Sequence, residues 1–155
     1  MFYLNGETDP LMHPHLKFLT LLYLAECKDL CPTGKYQALH EIKGGQFFFR
    51  GSHELPLARL AGKFGKDADA FYKKGVSLGG IKAPYGDMSI LLYPFPKIPL
   101  VYIFWKEDDE FPARITLLFD ETAEKHLLLE GLWGTAFFTT NIFMLDIPPI
   151  KGKGK

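Results

Sequence analysis

Three apolar segments follow one another through the middle of this chain with only short links between them, and that spacing leaves few folds open. Residues 88–95, 99–105 and 115–119 are rich in aliphatic and aromatic side chains, the composition of strands. Pro94, Pro96 and Pro99 interrupt the first interval, as turn residues should. The second interval is an acidic loop. Neither is long enough for the crossover that parallel neighbours require, so an antiparallel meander is expected. In the third segment Ile115, Leu117 and Phe119 alternate with Arg114, Thr116 and Leu118, which leaves one face more polar.

Helices should flank that sheet. Pro14 suits a first helical turn, where its missing N–H costs nothing. Leu16, Leu19, Leu22 and Tyr23 then recur at helical spacing, and Phe18, Leu21 and Leu24 widen the stripe, so a well-buried helix is expected over 14–26. Residues 35–42 read as a short strand ending at a Lys43-Gly44-Gly45 turn, with 46–50 as its hairpin partner. Further helices are expected over 55–64 and 67–74, the second ending at Gly75, with a glycine-rich connection over 76–84. Asp120 can cap another helix through a backbone N–H two or three residues on. Residues 132–145 fit helix or strand equally, and Pro148-Pro149 should end ordered structure. The expected class is therefore α+β, an antiparallel sheet flanked by helices, as one domain over 1–150 with a flexible lysine–glycine tail at 151–155.

Composition narrows the function classes. Acids and bases balance at 18 each, so the chain lacks the global positive field that draws proteins to nucleic acid. Phe47-Phe48-Phe49-Arg50 could suggest a base-stacking platform, but consecutive strand residues face opposite ways. No stretch is long and apolar enough for a membrane helix. No basic segment followed by an apolar one opens the sequence, so a cytoplasmic location is expected. The 14 phenylalanines and seven tyrosines belong in the core, or in part on a groove or a homodimer contact.

Chemistry concentrates at residues 105–112, WKEDDEFP. Asp108, Asp109 and Glu110 can supply hard oxygen ligands to a divalent cation, Glu107 less readily, and Asp87 and Asp120 could join them if strand ends converge. The alternative is a solvated hairpin loop whose acids cap backbone. The oxygen spacing and central glycine of a calcium-binding EF-hand are missing. Cys27 and Cys31 would share a helix face, but two thiolates do not make a four-ligand zinc or iron–sulfur site. No histidine stands at metal-site spacing from them. His126 could act as a base near neutral pH, and Lys73, Lys74 and Lys82 near Gly75, Gly79 and Gly80 could hold an anion without forming a phosphate-loop motif.

The stretch 105–120, WKEDDEFPARITLLFD, resembles the family called domain of unknown function 3786: a tryptophan, an acidic run ending in Glu-Phe-Pro, and an apolar strand ending in Phe-Asp. Pro99-Leu100, Gly86-Asp87 and Gly44-Gly45 are similar to its other features, and the likeness spans residues 12–145. Members are bacterial and archaeal, and some carry a cysteine-rich iron–sulfur module like that of corrinoid proteins. The resemblance thus implies a setting in anaerobic corrinoid or one-carbon metabolism, although the four-cysteine module is absent from this sequence. It supplies no catalytic residues. The expectation is a ligand- or cation-binding accessory protein with Asp87, Trp105, Asp108, Asp109, Glu110 and Asp120 around one polar cleft. The alternatives are an enzyme using an acid as general base beside His126, and a module that pairs with itself or docks a metabolic protein.

Overall fold

The computed structural model describes residues 14–146. The tail at 151–155, the Pro148-Pro149 stop and the polar opening segment lie outside the described residues. Five strands form one antiparallel sheet in the order β1 (Tyr36–Ala38), β5 (Arg114–Asp120), β4 (Ile98–Trp105), β3 (Met88–Phe95), β2 (Ile81–Lys82). The helices are α1 (Pro14–Glu26), α2 (Gly45–Phe48), α3 (Leu57–Phe64), α4 (Ala68–Ser77), α5 (Ala123–His126) and α6 (Leu129–Met144). The class is α+β, and β3, β4 and β5 form the meander that their short links dictate.

β4 lies at the centre and is buried on both faces except at Trp105. Leu100, Tyr102 and Phe104 share a face with Leu92, Ile90 and Met88 of β3 and with Phe119, Leu117 and Ile115 of β5, since directly paired residues point the same way. α3, α4 and α6 cover this face. Phe71 of α4 stacks between Phe104 and Phe143, with ring centroids 5.0 Å from each. Tyr102 is fully buried, and its hydroxyl meets Thr140 Oγ1 at 2.9 Å. Much of the aromatic excess is therefore core.

The opposite face carries Ser89, Val101, Ile103 and Leu118. Residues 83–86 cross part of it: the Ser89 hydroxyl donates to the Ala83 carbonyl at 2.7 Å and accepts from the Tyr85 N–H at 3.0 Å. Gly86 has φ +57, and a Cβ there would stand 2.6 Å from Ile103 Cγ2, so both backbone and space require glycine.

Several expectations are corrected. The 46–50 run does not pair with β1. It forms α2 and the start of a 3-10 turn, while β1 pairs instead with β5, Tyr36 opposite Asp120. One helical turn lets Phe49 pack on the core while Phe47 faces outward. α4 runs past Gly75 to Ser77, because Gly75 brings the helix against Ile90: a Cβ would fall 2.5 Å from Ile90 Cγ1. The 76–84 connection contains the two-residue β2. Pro94 and Pro99 lie inside β3 and β4, beside a register shift between Leu92 and Phe95 that accommodates residues without an N–H. Residues 132–145 are helical to Met144. Their threonines do not break α6, because Thr135, Thr139 and Thr140 hydroxyls donate to carbonyls four residues back. α1 matches its expected span, but its wider stripe is not buried: Leu19 and Tyr23 pack inward, while Phe18, Leu21 and Leu24 face outward. Among the described residues no helix is long and apolar enough to cross a membrane.

Candidate functional site

The meander brings the start of β3, the end of β4 and the start of β5 to one edge of the sheet. Met88 lies opposite Phe104, and Trp105 opposite Arg114. A cleft of about 470 Å³ opens there, lined by Asp87, Trp105, Lys106, Asp108, Phe111, Pro112 and Arg114. The Arg114 guanidinium lies over the Trp105 ring, 4.9 Å from its centroid. Such a cation–π contact contributes roughly 0.5–1 kcal/mol at an exposed site.

The acids hold the loop. Asp87 Oδ2 accepts the Lys106 N–H at 2.9 Å, and the Asp87 N–H donates to the Phe104 carbonyl at 3.2 Å. Asp108 Oδ1 accepts the N–H groups of Glu110 at 2.9 Å and Phe111 at 2.7 Å, closing a tight Asx turn. Those two donors keep the Asp108 carboxyl below the usual carboxylate range, outweighing a slight desolvation. Glu107 ties the loop to the end of α3 through its N–H to the Gly65 carbonyl and a 4.0 Å ion pair with Lys66.

Of the residues expected around one cleft, the fold assembles Asp87, Trp105 and Asp108. Asp109 and Glu110 are exposed on the loop and do not line it. Asp108, Asp109 and Glu110 do not form a ligand set, and among the described residues no group of three or more His, Cys, Asp or Glu is arranged to hold a metal ion. Phe111 is exposed at the cleft wall.

Asp120 is excluded by distance. It closes β5 six residues from Arg114, roughly 20 Å at ~3.3 Å per residue. Its carboxylate is buried and accepts four donors: Thr122 Oγ1 at 2.7 Å, Gly34 N–H at 2.8 Å, Thr122 N–H at 3.0 Å and Thr33 N–H at 3.3 Å. Burial pushes its pKa up, but the donors from Thr122, Gly34 and Thr33 outweigh that and leave it lowered. Asp120 thus fastens the 33–34 loop to the β5–α5 junction. His126 also lies at that far end, near Lys97 of the β3–β4 turn, so no acid of the loop can share a proton with it.

Arg114 and Lys106 were not singled out from the sequence. The signal for Arg114 is the hairpin itself: in an antiparallel pair the first residue of the return strand faces the last residue of the outgoing one, here tryptophan. A second, smaller hollow of about 220 Å³ lies between Ile42, Lys43 and the α5–α6 junction. It contains none of the expected site residues.

The family description "Domain of unknown function (DUF3786)" matches residues 4–141. The chain belongs to the DUF3786 family. In this DUF3786 protein the acidic signature and the strand after it form the loop and one wall of the cleft. No curated protein and no solved structure matches the chain.

Proposed function

We propose that this DUF3786 protein is a binding or accessory protein that holds a small polar ligand bearing a carboxylate or phosphate in the cleft at the Trp105–Arg114 edge. The observation that supports it is the guanidinium stacked on Trp105 inside a concave site with the exposed Phe111 ring at its wall. An arginine guanidinium carries a planar fork of N–H donors that matches a carboxylate or phosphate bidentately. Asp87 and Asp108 flank it and suit a ligand that also carries N–H or O–H donors. An organic acid or phosphate ester that also carries such donors fits this mixture better than a bare divalent cation. Each of the two acids already spends an oxygen on backbone N–H groups, while calcium calls for about six to eight oxygens. The setting proposed with this reading, corrinoid or one-carbon metabolism, rests on the family resemblance alone.

The test is thermal unfolding with mono- and dicarboxylates and inorganic phosphate. At least one should raise the Tm with concentration, and Arg114→Ala should abolish the rise. No rise with any of them, or a rise that persists in Arg114→Ala, overturns the reading.

Self-association is a second reading, favoured by one observation: Phe18, Leu21 and Leu24 of α1 are each more than 60% exposed and lie on one stripe. Sedimentation should then show a dimer that Leu21→Glu converts to monomer. A wild-type monomer at high micromolar concentration removes this reading.

A further inference from the structure

A thiol and an imidazole meet at the opposite end of the sheet from the cleft. Cys27 follows the last residue of α1, and His126 ends α5, 99 residues away. The fold sets Cys27 Sγ 3.7 Å from His126 Nδ1. The same nitrogen accepts the Lys28 backbone N–H at 3.3 Å. A nitrogen that accepts a backbone N–H carries a lone pair, so in the neutral ring the proton sits on Nε2. The basic nitrogen therefore faces the thiol. His126 is 1% exposed, and Nε2 is buried with no hydrogen-bond partner. A buried donor without a partner destabilises the fold, so the ring is not placed for stability alone. Cys27 is only half-buried.

We propose that Cys27 and His126 form a thiol–imidazole pair that carries out thiol–disulfide exchange with small disulfides, with Cys27 as nucleophile and His126 as its proton acceptor. Cys27 Sγ attacks one sulfur of the disulfide as its S–H proton passes to Nδ1. A new S–S bond forms to Cys27 and the old S–S bond breaks. The departing sulfur takes the proton from Nδ1 and leaves as a thiol. Cys27 is oxidised to the mixed disulfide, and the departing half is reduced. A second thiol reverses the step.

The surroundings suit transfer rather than storage of the proton. Burial, and after it the Lys97 ammonium, lower the His126 pKa, while Asp120 acts the other way. Protonation would also set an Nδ1–H against the Lys28 N–H that this nitrogen accepts in the neutral ring, which favours passing the proton on. The other groups facing the pair are the Tyr23 hydroxyl, which interacts with Cys27, and Lys97 Nζ, which donates to the Lys28 carbonyl at 2.8 Å and pairs with Asp29 at 3.3 Å. The thiol also lies 3.6 Å from the Lys28 carbonyl, so its S–H is shared between that oxygen and Nδ1.

The experiment uses the full chain and a chromogenic aromatic disulfide, with modified peptides identified by mass spectrometry. Cys31 is exposed and serves as an internal reference without mutation. On access alone Cys31 should react first; base assistance makes Cys27 the faster thiol at pH 6.5. In a Cys31→Ser background the Cys27 rate should vary little with pH around neutrality, because neutral His126 takes the proton as the bond forms. In His126→Gln it should instead climb about tenfold per pH unit, as attack by free thiolate requires, and be slower at pH 6.5 by about tenfold or more. Preferential reaction of Cys31, or a unit slope with His126 present, overturns the assignment even if His126→Gln folds poorly.

Discussion

Replacing Asp120 tests the reasoning about the acids most severely, because the structure removes it from the ligand site and makes it a structural fastener. Its carboxylate accepts four donors, three of them at 3.0 Å or less. Hydrogen bonds to a charged group contribute ~1.5–3 kcal/mol each, but those sharing one carboxylate are not additive. The 33–34 loop is exposed enough for water to reach some freed N–H groups, which lowers the cost further. Asp120→Ala should therefore destabilise the fold by about 3–5 kcal/mol, as expected when one partner of a buried charged network is removed. Asp120→Asn, which keeps one acceptor oxygen, should cost about 2–3 kcal/mol. The assay is urea unfolding at pH 7 followed by tryptophan fluorescence and far-UV circular dichroism. The pH dependence provides a separate check. The folded-state pKa is depressed, so the Asp120 contribution is complete above the unfolded carboxyl pKa of ~3.9 and is lost as pH falls through the lower folded value. The stability difference between wild type and Asp120→Asn should shrink over that acid range. A cost below about 1 kcal/mol for Asp120→Ala would refute the four-donor account, as would a difference that does not change with acid.

Three further outcomes are expected. Thr140→Val should destabilise more than Tyr102→Phe, about 1–3 against about 0.5–1.5 kcal/mol by chemical denaturation: it strands the buried phenol, whereas the Thr140 hydroxyl keeps the Ala136 carbonyl when Tyr102 loses its oxygen. Burial raises the Tyr102 pKa far above its ordinary value of 10. Its contribution is thus complete below pH ~10 and declines as pH rises above it and the unfolded phenol ionises, and spectrophotometric titration should find one tyrosine that ionises only on unfolding. Gly86→Ala should lower stability by about 1–3 kcal/mol through its positive φ and the approach to Ile103, read as a fall in the urea midpoint at constant slope.

Where the sequence was legible, the physics was local. Apolar runs of strand composition with short links describe a meander whatever else the chain does, and β3 and α1 fall on the spans their residues suggest. The aromatic run at 46–50 misleads because its strand propensity is real, but the edge beside β5 is taken by residues 36–38, and one helical turn places Phe49 on the core. The cleft was half legible. Asp87, Trp105 and Asp108 come together because they lie at or beside the ends of neighbouring strands, whereas Arg114 becomes visible only once the hairpin register sets it opposite Trp105.

The order of residues determined by itself that β3, β4 and β5 lie antiparallel, that helices flank them and that acids sit at a hairpin tip, since each of these follows from spacing of a few residues. Only the tertiary structure decided which acids share a cleft. The two ends of a seven-residue strand are too far apart for side chains to meet, so Asp120 and the loop acids were separated by strand length, which no count of carboxylates reveals. The same packing brought Cys27 to His126 across 99 residues. That proximity comes from how helices dock on a sheet and has no local signature in the chain.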